Sequence, residues 1–252
     1  MNTSISSPRD RLIFALDVGG ELAEALTWVD RLWDHVGLFK VGKESFVRYG
    51  TDIVRQIQAR GGKVFLDLKF HDIPNTVARA AEAACELRVA MFNLHALGGM
   101  KMMAETADAV RKYAERSGNR PPVLLAVTVL TSLNDGDLKL LGFNRGTRET
   151  ALYLARLAQD AGVSGVVASA EDAAAIRKAC GRDFLIVTPG IRAAGEVAGD
   201  DQKRIVTPAV AISAGADYLV VGRPISRAAD PDAAADRVVE EIFRGLAQVQ
   251  GG

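Results

Sequence analysis

Short apolar runs rich in β-branched and aromatic residues recur along the chain, separated by longer segments of helical character. The runs are Leu12 to Leu16, Leu38 to Val41, Val64 to Leu68, Ala90 to Leu94, Val123 to Leu130, Gly165 to Ala168, Phe184 to Val187 and Tyr218 to Val221. Between them apolar residues fall at helical spacing, as in Leu22, Ala25, Leu26 and Val29, or Val77, Ala80, Ala81 and Ala84. Strict strand–helix alternation implies parallel strands joined by right-handed crossovers. Eight such strands in 252 residues, near the ~250 of one β/α barrel, predict a single-domain (β/α)8 TIM barrel over residues 11–248, preceded by a flexible segment 1–10. An open doubly wound sheet is the competing arrangement.

A barrel makes a demand on the pattern, because active sites in this architecture sit at the C-terminal ends of the strands. Polar residues do collect there: Asp17, Lys40, Asp67 with Lys69, Asn93 with His95, Thr131 with Ser132, Ser169, Thr188 before Pro189-Gly190, and Gly222-Arg223. The densest cluster is Asp67-Leu68-Lys69-Phe70-His71-Asp72, in what otherwise reads as a buried strand and its exit. Alternation along a strand places Asp67 and Lys69 on one face and Leu66, Leu68 and Phe70 on the other. Buried charges cost several kcal/mol unless paired, so they survive as ion pairs or as working groups, and both readings stand at this point. Asp17, Lys40, Asp67, Lys69 and Asp72 suggest an alternating acid–base network. A lysine held between carboxylates stays protonated and is suited to act as a general acid.

Two regions suit a phosphate. In Val221-Gly222-Arg223-Pro224, glycine permits close backbone approach, arginine offers paired donors, and proline opens a helix. The stretch from Pro189-Gly190-Ile191-Arg192 through Asp201-Gln202-Lys203-Arg204 is Gly-rich and resembles a lid over an anion. His71 and His95 lack partners at ligand spacing, so no metal site is expected, and His95 reads as a hydrogen-bonded strand-end residue. Trp28 and Trp33 read as packing residues of the first helical segment.

Composition removes several partner classes. Lys plus Arg and Asp plus Glu each total 31, so there is no net charge and no basic footprint for a nucleic acid or an anionic membrane. No run approaches the ~18 apolar residues of a membrane span, and Met1 to Asp10 contain no apolar signal core. Cys85 and Cys180 fall in helical segments without a close partner, which fits reduced thiols and a cytoplasmic location.

Taken together, Ala15-Leu16-Asp17, Lys40-Val41-Gly42-Lys43-Glu44, Asp67-Leu68-Lys69-Phe70-His71-Asp72-Ile73-Pro74-Asn75-Thr76-Val77, Val127 to Ser132, Thr188 to Arg192, Asp201 to Arg204 and Val221 to Pro224 closely resemble the orotidine 5'-phosphate decarboxylase family, from about residue 11 to about residue 231. The resemblance implies cofactor-free loss of carbon dioxide from orotidine 5'-monophosphate, giving uridine 5'-monophosphate. By the same resemblance Lys69 protonates C6, Asp67 and Asp72 hold Lys69 beside the departing carboxylate, and Lys40 completes the charged array. It further implies that Asp17 and Lys40 hold ribose hydroxyls, that Thr131 and Ser132 flank the sugar and the pyrimidine amide, and that Arg192, Gln202, Gly222 and Arg223 receive the phosphate. Asp72 and Thr76 are expected to reach the neighbouring subunit's site in a homodimer. The acidic pair Asp200-Asp201 before Gln202 departs from the family pattern. Two rivals remain: a magnesium-dependent sugar-phosphate decarboxylase or aldol-type lyase on the same scaffold, and a non-catalytic nucleotide-binding protein using only the phosphate region.

Overall fold

The computed structural model describes residues 7–191 and 206–250. Its centre is a closed barrel of eight parallel strands in sequence order, so the barrel and not the open sheet is realised. The strands are β1 (Leu12–Ala15), β2 (Leu38–Gly42), β3 (Val64–Phe70), β4 (Met91–His95), β5 (Val123–Val127), β6 (Gly165–Val167), β7 (Leu185–Pro189) and β8 (Tyr218–Val221). β8 closes onto β1 through Leu12↔Leu219 and Ile13↔Val220. Most boundaries lie within a residue or two of the apolar runs. The main difference is β5, which ends at Val127 where Leu130 was expected: Thr128 leaves the ladder with β4 and turns both its N–H and its hydroxyl to the Val167 carbonyl.

Strand alternation sorts the apolar residues into two layers. Ile13, Leu38, Phe65, Met91, Leu125, Val187 and Tyr218 fill the barrel interior. Leu12, Phe14, Phe39, Leu66, Phe92, Leu124, Ile186 and Leu219 face outward into the larger layer under the helices. Phe65, 1% exposed, is a member of the interior cluster. Truncating it to Ala would cost about 3–5 kcal/mol through lost burial and the cavity left behind.

Local signals explain why the strand exits become helices. Pro74 opens the helix Pro74–Glu86, whose buried Val77, Ala81, Ala84 and Cys85 form one stripe. Arg177 on the helix Ala170–Cys180 ties the opposite end of the barrel together: it donates to the carbonyls of Gly181, Phe184 and Gly215 and pairs with Asp217 at 2.6 Å. Burial holds the Asp217 carboxyl above its ordinary range even with Arg177 beside it. Just before β1, Arg9–Arg11 form a single 3-10 turn that overlaps the end of the segment 1–10, and Arg9 pairs with Asp34 at 2.8 Å. Trp28 stacks on Phe14 with 5.7 Å between ring centroids, as packing requires. Trp33 differs from expectation: it caps the helix Leu22–Leu32 and is 56% exposed, because its position falls past the last buried turn. Among the described residues no helix is long and apolar enough to cross a membrane.

Candidate active site

Four charged side chains from three neighbouring strand exits meet at one rim of the barrel. Lys40 on β2 donates to Asp17, just past β1, at 2.8 Å. The same ammonium lies 3.3 Å from Asp67 on β3, and Lys69 donates to the other oxygen of Asp67 at 2.6 Å. The result is an alternating chain Asp17–Lys40–Asp67–Lys69. Lys40 and Asp67 are its buried middle, with side chains 10% and 12% exposed, whereas Asp17 and Lys69 open toward solvent. Burial pushes the Asp67 carboxyl upward, but Lys40, Lys69 and two hydrogen bonds together outweigh it and hold the group below its ordinary range. Asp67 is therefore a fixed anion between two cations.

Local backbone geometry explains how Lys69 comes to face Asp67. β3 and β4 pair Leu66 with Phe92 and then Phe70 with Leu94, so Asp67, Leu68 and Lys69 stand opposite Asn93 alone. Simple alternation does not continue across this bulge. Lys69 adopts φ 53°, a left-handed conformation unusual for a residue with a Cβ. Its N–H, taken out of the ladder, donates to the Asn93 side-chain oxygen at 2.7 Å, and the Asn93 amide nitrogen donates to Asp67 at 2.7 Å. Asn93 stood among the polar strand ends in the sequence, but nothing there tied it to Lys69. Its placement within apolar Met91-Phe92-Asn93-Leu94 was the available signal.

Gly42 also belongs to the site, and sequence reasoning gave it no part. A Cβ built on it would lie 2.6 Å from an Asp17 oxygen and 3.0 Å from the Lys40 nitrogen, so any larger residue would have to push the ion pair aside. Ser45 donates to the Leu16 carbonyl at 2.8 Å and ties the exit of β1 to the helix Lys43–Tyr49.

The remaining expected residues that the structure describes follow other strand exits. Asp72 is exposed; its carboxylate accepts the Ile73 N–H at 2.6 Å and, among the described residues, forms no ion pair with Lys69. Thr76 is exposed in the first turn of the helix Pro74–Glu86. Thr131 and Ser132 line a cleft of about 120 Å³ with Ser169, Pro189, Gly190 and Val206. Gly222 and Arg223 follow β8, with Pro224 in the first turn of the short helix Arg223–Ser226. Arg192 and Gln202 lie outside the described residues; Ile191 and Val206, at the two ends of that stretch, form a parallel bridge. His95 accepts the Leu97 N–H and stacks on His71 with 5.4 Å between centroids. Burial, reinforced by His71, Lys43 and Lys69, lowers the His95 pKa to about 4.

This rim accords with what the chain resembles as a whole. Residues 10–238 match the model of the "Orotidine 5'-phosphate decarboxylase / HUMPS family". The chain belongs to that family. An orotidine 5'-phosphate decarboxylase of Syntrophus aciditrophicus is 64% identical over 237 residues, 94% of each chain, and one of Syntrophotalea carbinolica is 56% identical over 238 residues, covering 94% of this chain and 97% of the relative. Among solved structures, the orotidine 5'-phosphate decarboxylase of Lactobacillus acidophilus matches with a TM-score of 0.80 at 37% identity, over 92% of this chain and 98% of that one. As a member of this decarboxylase family with relatives so named over nearly its full length, the chain is an enzyme of the carboxy-lyase type.

Proposed function

We propose that the chain converts orotidine 5'-monophosphate to uridine 5'-monophosphate and carbon dioxide, without a cofactor, with Lys69 as the proton donor. The observation that carries this reading is the Asp17–Lys40–Asp67–Lys69 chain, at 2.8, 3.3 and 2.6 Å between successive partners. Binding a phosphate or a sugar alone requires no such buried alternation, which argues against a purely nucleotide-binding role.

The chemistry explains why fixed charges are useful. Breaking the C6–carboxylate bond leaves the electron pair on C6, in the plane of the pyrimidine ring, where the π-system does not directly delocalise it. A lysine ammonium held at that position stabilises the developing carbanion and then transfers a proton from Nζ to C6. Carbon dioxide leaves, and the neutral amine regains its proton from water. Asp67 serves by holding Lys69 in place before the reaction, so little reorganisation is needed during it. Asp17 and Lys40 are assigned to the ribose hydroxyls, Thr131 and Ser132 to the sugar and pyrimidine amide, and Arg192, Gln202, Gly222 and Arg223 to the phosphate. Binding energy from that remote phosphate is available to lower the barrier at C6.

The working unit in this reading is a cytoplasmic homodimer in which Asp72 and Thr76 reach the partner's site. Exposure of Asp72 and Thr76, with Ile73 67% exposed between them and Leu97 41% exposed after β4, supports a contact surface there. The test is Lys69→Ala together with Asp72→Ala. Each variant alone should lose turnover while still binding uridine 5'-monophosphate. Mixing them should restore activity, since a mixed dimer holds one intact site. Appreciable turnover by Lys69→Ala contradicts the donor role; no recovery after verified subunit exchange contradicts the shared site.

A further inference from the structure

Asn93 is a polar side chain only 1% exposed, inside a barrel whose other buried strand residues are largely apolar. Both ends of its carboxamide are engaged, the oxygen by the Lys69 N–H and the nitrogen by the Asp67 carboxylate, each at 2.7 Å. The assignment of these two ends follows from chemistry: a backbone N–H needs an acceptor, and an ionised carboxylate needs a donor. One residue thus fixes the backbone of one charged group and the side chain of the other.

Position in the sheet makes this more than ordinary satisfaction of polar groups. The bulge places three β3 residues opposite Asn93, and the Lys69 N–H faces its side chain instead of a strand carbonyl. Left-handed backbone at Lys69, φ 53°, is disfavoured for a residue with a Cβ and persists only where its surroundings hold it. The Asn93 oxygen is the group that meets it.

We propose that Asn93 is a positioning residue for the decarboxylation: it pins Lys69 in its left-handed conformation and orients Asp67, so that the ammonium is held toward the reacting carbon. Asn93 itself does not touch the substrate. This inference rests on the reading of Lys69 as proton donor, so Lys69→Ala is measured in the same series.

Asn93→Leu keeps the approximate shape and removes both hydrogen bonds. Misplacing a catalytic group by about 1 Å can cost about 100-fold in rate. Asn93→Leu should therefore lower kcat by about that factor while KM and affinity for uridine 5'-monophosphate change little. Asn93→Asp supplies an independent signature should the leucine variant fold poorly. Its introduced carboxyl retains the acceptor for Lys69 but, when ionised, faces Asp67 with like charge, with Lys40 and Lys69 beyond. Protonation would recreate a donor, and two facing carboxylates force one pKa upward. The kcat of Asn93→Asp, relative to that of the unaltered enzyme, should therefore rise as pH falls from 8 to 5, whereas general structural damage would not recover.

A folded Asn93→Leu with kcat within about threefold of the unaltered enzyme overturns the inference. So does a flat relative pH profile for Asn93→Asp. Turnover by Lys69→Ala would instead overturn the donor reading beneath it. An inactive Lys69→Ala alongside fully active Asn93 variants would locate the failure in this inference alone.

Discussion

Replacing Asp67 by Asn keeps the side-chain shape and removes the charge at the middle of the ion-pair chain. In the native site one Asp67 oxygen accepts from Lys69 at 2.6 Å and from Asn93 at 2.7 Å, and the other lies 3.3 Å from Lys40. A carboxamide must turn its NH2 either toward Lys69 and the Asn93 amide or toward Lys40, so a donor faces a donor in both orientations. Removing one partner of a buried pair costs about 3–5 kcal/mol. Lys40 keeps its bond to Asp17 at 2.8 Å, and the Lys69 side chain is 27% exposed, so water offsets part of the loss. The lower end of the range, about 3 kcal/mol, is therefore expected; for a chain of this size that lowers the melting temperature by about 6 °C. Turnover should fall at least about 100-fold, because the ammonium is no longer held against its anion. Thermal melting and initial-rate assays on the same preparation read both effects. A variant that melts within about 1 °C of the unaltered protein and retains kcat within about threefold would refute the assignment of Asp67 as the fixed anion of the site.

Gly42→Ala should lower kcat/KM about tenfold or more while the protein stays folded, since the new methyl group would displace Asp17 or Lys40; unchanged kinetics would show that the pair has room to move. Arg177→Met should destabilise the chain by about 3 kcal/mol, the lower end of the cost of breaking a buried pair, because Arg11 at 4.0 Å and the Ile186 N–H still serve Asp217; this is read as a lowered denaturation midpoint, with kcat per folded molecule preserved because the pair lies away from the site rim. The His95 pKa of about 4 lies below the 6.5 of an unperturbed histidine, so between these values the unfolded chain binds the extra proton. Stability should thus decline as pH falls through that window and be unaffected by His95 above it. His95→Gln should flatten the decline between pH 6.5 and 5; an unchanged slope would contradict the burial of a neutral ring.

Architecture was legible because it rests on repetition. The apolar runs and helical spacings specify alternation, and alternation in a chain of this length specifies the barrel. The Asp17, Lys40, Asp67 and Lys69 set was legible for a related reason: a charge inside an apolar run is conspicuous. Asn93 and Gly42 were not linked to that set, because their roles depend on register. Only the β3–β4 pairing shows Asn93 opposite three residues, and only the packing shows Gly42 against Asp17 and Lys40. Nothing in the sequence singles out Arg177, because the carbonyls through which it holds the opposite end of the barrel converge only in the fold. Trp33 was misjudged because helical periodicity alone does not say where the buried turn stops.

The most direct measurement is the ultraviolet absorbance of orotidine 5'-monophosphate incubated with purified protein in excess chelator. Substrate absorbance should be lost with equimolar formation of uridine 5'-monophosphate and carbon dioxide, and no such loss should occur with Lys69→Ala. Failure to consume the substrate, or consumption only after magnesium is restored, would contradict it.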